Sequence, residues 1–199
     1  MLILIVGLVL FLGLHSLQIV RPAHDGAVAA MGDTPYRLTY SLASLAGLVL
    51  VAQGYSAWRW EGSAPILYVP PAWASHVTLL LMAFAFVALA AAYAPGHIKR
   101  TLKHPMLVAV KVWAVAHLLA NGNAAAVLLF GAFLAWAVAD RISVKRRERA
   151  GLIAPADFEP RWQADLAAVA IGLTVYGLFV WKLHLWLIGV SPVAMTPAA

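Results

Sequence analysis

Cysteine is absent from this 199-residue chain. That absence excludes disulfides, thiolate nucleophiles and thiolate metal ligands together. Charge is also scarce, at 11% of residues, while hydrophobic residues make up 63%. Such a balance is too apolar for a domain with a water-facing surface. Acids are scarcest of all. Asp25, Asp33, Glu61, Asp140, Glu148, Asp157, Glu159 and Asp165 are the full set, and each falls in a connection or at the end of an apolar run. A proton pump or cation antiporter usually needs a carboxylate inside the membrane, so that class is set aside. The sequence also lacks G-x-S-x-G, H-E-x-x-H, P-loop and G-x-G-x-x-G patterns, and with them the common hydrolase and nucleotide-binding chemistries. No nucleic-acid motif, internal repeat or low-complexity tract is present.

Six apolar runs remain, each near the length needed to cross a bilayer. They cover Met1 to Val20, Leu38 to Trp58, Ser75 to the Ala94-Pro95-Gly96 break, Pro105 to Ala120, Asn123 to Ala139, and Asp165 to Val190. The first has no basic stretch ahead of it and is longer than the apolar part of a signal peptide, so it is read as a mature helix. Only Asn121-Gly122-Asn123 parts the fourth run from the fifth, which predicts an antiparallel hairpin. The longest connection, from Asp140 to Asp165, begins with a segment that either prolongs the fifth helix or lies flat on the membrane. Eleven basic residues fall in the connections 1–2, 3–4 and 5–6, against Arg59 alone in the others. The positive-inside rule then places both termini outside and the basic connections in the cytoplasm. The expected fold is all-α: one domain over residues 1–199, a bundle of six transmembrane helices with both termini on the outer side. The formal charge of +6 reads as attraction to anionic lipid.

Some ionisable groups lie inside the runs. Lys111 sits about 9 Å into the fourth run. Its stem can snorkel to the headgroups, or its ammonium can face an anion, either a lipid phosphate or a cofactor propionate. Lys182 stands in an aromatic belt with Trp181 and Trp186, where snorkelling suffices. Among seven histidines, His24 and His97 fall in connections and need no special role, while His76 and His184 have ordinary interfacial positions. His104 precedes Pro105 at a helix entrance. His15 and His117 are different, because both lie within apolar runs. A buried imidazole must satisfy both ring nitrogens, and a bond between helices would do so. Metal ligation is the alternative. Two histidines are too few for a bare structural zinc, but enough for haem, whose porphyrin supplies the other four nitrogens. Measured from the cytoplasmic side, their depths differ by about 9 Å, which strains the pairing and leaves His184 as the spare ligand.

The segments GLHSLQIVR, YRLTYSLASLAGLVL, KHPMLVAVKVWAVAHLLANG and LLFGAFLAWAVADRISVKRR together resemble the NnrU family of bacterial inner-membrane proteins, in order and over nearly the whole chain. That resemblance implies a multi-pass protein of the inner (cytoplasmic) membrane associated with denitrification and nitric oxide metabolism. The family is similar in turn to the 15-cis-zeta-carotene isomerases, membrane enzymes that use haem b with histidine ligands. By that resemblance His15 and His117 are the iron ligands, with Arg21, Arg37 or Lys111 near the propionates. The plant enzymes carry a cysteine three residues before the second histidine, where this chain has Ala114. Three functions are thus expected in parallel: a haem b protein of nitrogen-oxide metabolism, a haem-dependent polyene cis–trans isomerase, and a cofactor-free assembly or regulatory protein. The expected partners are membrane lipids and an apolar or small gaseous ligand.

Overall fold

The computed structural model describes residues 1–154 and 157–193. Among these the fold is all-helical, with eight helices and no strand beyond one isolated bridge. The helices are α1 (Leu2–Ser16), α2 (Arg21–Met31), α3 (Asp33–Trp60), α4 (Ala74–Ala91), α5 (His97–Leu102), α6 (Pro105–Ala120), α7 (Ala124–Arg149) and α8 (Trp162–Ile188). Many of their large apolar side chains are exposed, including Leu38, Leu42, Leu45, Leu48 and Val49 along α3. A surface so apolar belongs in hydrocarbon, and several helices of this length and composition make a multi-pass membrane protein.

Length and composition give four to five crossings among the described residues, where the sequence suggests six. The helices α3, α4, α7 and α8 are each long and apolar enough; α1 and α2 qualify only as one span bent by 88°. The reason is local. Helix α1 stops at Ser16, so its 15 residues span about 22 Å, short of the ~30 Å hydrocarbon core. The stretch RPAHDG, expected as a loop, instead opens α2, with Pro22 in its first turn where a missing N–H costs nothing. Helix α6 has the expected bounds, but at 16 residues it too is short for a full crossing. The basic segment after Ala139 resolves in favour of prolongation, since α7 runs unbroken to Arg149.

The chain divides into two compact units, Met1–Val69 with Gly122–Ile153 and Pro70–Asn121 with Ala154–Ala199. In the first unit α1 packs antiparallel on α3. Backbones touch where glycine leaves room: Gly7 faces Leu50 and Val51, Gly47 faces Phe11, and Gly54 faces Ile3 and Leu4. Close approach at small residues is how helices gain contact in lipid, where burial from water no longer drives association. Phe11 reaches α7 through Phe133, with ring centroids 5.7 Å apart. The start of α7 is closed twice: the Asn123 side chain accepts from Ala126 N at 2.9 Å, and Ala124 N donates to Pro65 O at 2.9 Å.

In the second unit α4 packs against both α6 and α8. Its buried face is alanine, at Ala74, Ala85, Ala88 and Ala91. The Thr78 hydroxyl donates to Ala116 O of α6 at 2.7 Å, and Gly172 of α8 lies on the backbone of Phe86 and Val87. Asp165, in the first turn of α8, closes the N-terminus of α5. Its carboxylate accepts from His97 N at 3.0 Å, Ile98 N at 2.9 Å and His97 Nδ1 at 2.8 Å. Gly96 leaves the space this carboxylate fills. The acid and His97 have a shared structural role that the sequence does not disclose.

Substitutions at Gly47, Gly13 and Asp165 check this packing. A Cβ at Gly47 would lie 2.9 Å from Phe11 N, whereas Gly13 has nothing within 4 Å. Gly47→Leu is expected to destabilise by about 1–3 kcal/mol and Gly13→Ala to change little, read as thermal unfolding in mild detergent. Asp165→Ala should lower the unfolding midpoint more than Asp165→Asn, which keeps one acceptor oxygen for the α5 amides. Equal midpoints for the two Asp165 variants would refute the capping role.

Candidate functional site

His15 belongs to the first unit, at the last turn of α1. Its Nδ1 lies 2.7 Å from Phe11 O, one turn back. A carbonyl only accepts, so Nδ1 carries the proton and Nε2 the lone pair. Phe11 stacks on the ring at 4.2 Å, Tyr40 lies at 5.5 Å and Trp136 meets it edge-on at 5.9 Å. Trp136 Nε1 is shielded and lacks a hydrogen-bond partner among the described residues. The neighbouring Ser16 hydroxyl donates to Leu12 O at 2.7 Å.

His117 belongs to the second unit, in the last turn of α6. Its Nδ1 donates to Trp113 O at 2.9 Å, which again fixes the lone pair on Nε2. Asn121 Nδ2 donates to the His117 carbonyl at 2.9 Å and so closes the end of the helix. The His184 imidazole of α8 lies beside it in this unit. The two ring centroids are 6.4 Å apart and the ring planes differ by 20°. His184 Nδ1 donates to Val190 O at 2.7 Å. Both rings therefore have the same tautomer, each held by a backbone carbonyl behind it. This is the usual way a ligating histidine is oriented, with one nitrogen on a carbonyl and the other turned to the metal.

A local irregularity positions His184. Within α8 the residues Phe179–Leu183 form a π-helical turn, and α-helical winding resumes at His184. A π turn shifts the register of the residues beyond it, and such turns are frequent at functional sites. Straight helical spacing would give His184 a different heading, so its position in the sequence alone reads as interfacial. Gly189, at φ +78°, then lets the chain fold back so that Val190 O reaches the ring.

The three cations expected near a bound anion are dispersed over different settings. Arg21 is exposed and 3.9 Å from Asp25, four residues on in α2. The hydrogen bond from His24 holds the Asp25 carboxyl below the usual carboxylate range. Arg37 is exposed and pairs with Asp33, one turn back in α3, at 2.9 Å. Lys111 is half-buried on α6 and lines an apolar groove. No group of three or more His, Asp or Glu among the described residues could hold a bare metal ion. A pair of imidazoles serves only a metal that brings its other ligands with it.

The family model described as NnrU protein matches residues 3–192. No curated protein and no solved structure matches the chain. With nearly all of its length inside the family model, the chain belongs to the NnrU family.

Proposed function

We propose that this NnrU-family protein binds haem b in the bacterial inner membrane and serves nitrogen-oxide metabolism, with His117 and His184 as the axial ligands. The single supporting observation is the spacing of those two rings. A ring nitrogen lies about 1 Å from its centroid and a metal–imidazole bond is about 2 Å, so two imidazoles on one metal have centroids about 6 Å apart. The observed 6.4 Å fits that demand, and both Nδ1 atoms already donate to carbonyls. His117 is the ligand expected from the sequence. His184 takes the place given there to His15, whose ring is bordered by Phe11, Tyr40 and Trp136.

In this reading Trp113 O and Val190 O hold the two imidazoles in one tautomer and orientation. Thr78 ties α6 to α4, so the His117 side of the site is anchored. Bound haem would supply a redox-active iron, which a diatomic ligand such as nitric oxide would reach only by replacing one of the two imidazoles. Arg21 and Arg37, each paired with an acid on its own helix, serve the membrane surface. Six crossings with both termini outside result if the short helices α1 and α6 each cross and α2 lies at the membrane surface, and the excess of basic residues in three connections supports that orientation.

The rival readings separate by experiment. The protein is expressed with haem available, purified in mild detergent, and its visible spectrum is recorded oxidised and reduced. A Soret band is expected, altered by His117→Ala and by His184→Ala and unchanged by His15→Ala. Loss of the band in His15→Ala with His184→Ala unaffected would return the second ligand to His15. No band at all would leave the cofactor-free reading. Nitric oxide should shift the band, while a cis-polyene should yield no isomerised product.

A further inference from the structure

His117 and Lys111 occupy different faces of α6. Six residues separate them, which places them about 120° apart around the helix. Lys111 lines an open groove of about 320 Å³ with Val108, Val112 and Val115 of α6 and Leu81 of α4. Apart from Lys111 the lining is wholly apolar. No Asp or Glu occurs between Glu61 and Asp140, so neither α4 nor α6 carries an acid. Among the described residues Lys111 forms no ion pair. An ammonium at this depth is tolerated when it reaches the headgroups or receives an anion. Arg100 and Lys103 precede α6 at the end nearer Lys111, which makes that end of the unit strongly cationic.

We propose that this α4–α6 groove binds one anionic glycerophospholipid, its phosphate on the Lys111 ammonium and one acyl chain along Leu81, Val108, Val112 and Val115. Charge complementarity selects the occupant: a cation with no acid in reach stands at the rim of a channel lined by valine and leucine. A groove of about 320 Å³ is too small for more than a turn of helix about 10 Å across, whereas its apolar lining suits an acyl chain. The site is independent of the histidine pair, since it lies on another face of α6.

Native mass spectrometry of the detergent-purified protein tests the proposal. Phosphatidylglycerol and phosphatidylcholine with matched chains are offered together. One phosphatidylglycerol should be retained in preference by at least about fivefold, the scale of one lysine acting on an anionic lipid. Lys111→Met should abolish the preference, and Lys111→Arg should keep it. Val115→Trp, which fills the groove, should lower retention of both lipids. Glycerol 3-phosphate, a headgroup without a chain, should not displace the lipid. An unchanged preference in Lys111→Met, unchanged retention in Val115→Trp, or displacement by glycerol 3-phosphate would each overturn the site. Unfolding midpoints confirm that the variants fold. The visible spectrum of Lys111→Met should match the parent's, so failure here is distinct from failure of the haem reading.

Discussion

A polar side chain in hydrocarbon must find a partner, and in this protein that partner cannot be a carboxylate. Six of the eight acids lie in connections or at the ends of helices, while Asp25 stands within α2 and Asp140 follows the apolar part of α7. Five polar groups on the apolar helices turn instead to backbone carbonyls. His15 bonds to Phe11, Ser16 to Leu12, Thr78 to Ala116, His117 to Trp113 and His184 to Val190. For a hydroxyl that settles the matter. For an imidazole it settles half, because the carbonyl takes the N–H and leaves a lone pair on the other nitrogen. The same scarcity of acid that keeps the spans apolar thus leaves three histidines in one tautomer, each with a lone pair on Nε2. It also leaves Lys111 to look outside the protein for its anion.

Much of the fold was legible in the sequence because hydrophobic run length reports directly on helices in lipid. The bounds of α6 come from Pro105, which suits a first turn, and from Asn121-Gly122, which ends it. What the run lengths concealed lies at the helix ends. Nothing in Met1 to Val20 marks the stop at Ser16, and a proline-bearing, half-polar stretch such as RPAHDG reads as a loop until its alanines are seen to carry α2. The prolongation of α7 to Arg149 depends on whether charged residues stay helical beyond the apolar part, which composition leaves open.

The histidine site was legible only in part. His117 stands out because it is an imidazole in an apolar run. His184 does not, since it sits among Trp181, Lys182 and Trp186 in what reads as an interfacial belt. Its role depends on the π turn at Phe179–Leu183 and the left-handed Gly189. Neither has a reliable signature in residue type: Phe, Val, Trp, Lys and Leu are ordinary helix residues, and a glycine near a helix end is common. His15 stands out for the same reason as His117, and Phe11, Tyr40 and Trp136 lie about its ring. The cap that Asp165 places on α5 was invisible because it joins residues 68 apart in the chain.

The central claim is that the His117 and His184 rings share one iron. Low-temperature electron paramagnetic resonance of the oxidised, haem-loaded protein tests it most directly. Two near-parallel imidazoles on ferric haem give a rhombic low-spin signal, and that signal is the predicted result. A high-spin signal in the parent protein, or a low-spin signal that survives replacement of His184, would contradict the pairing.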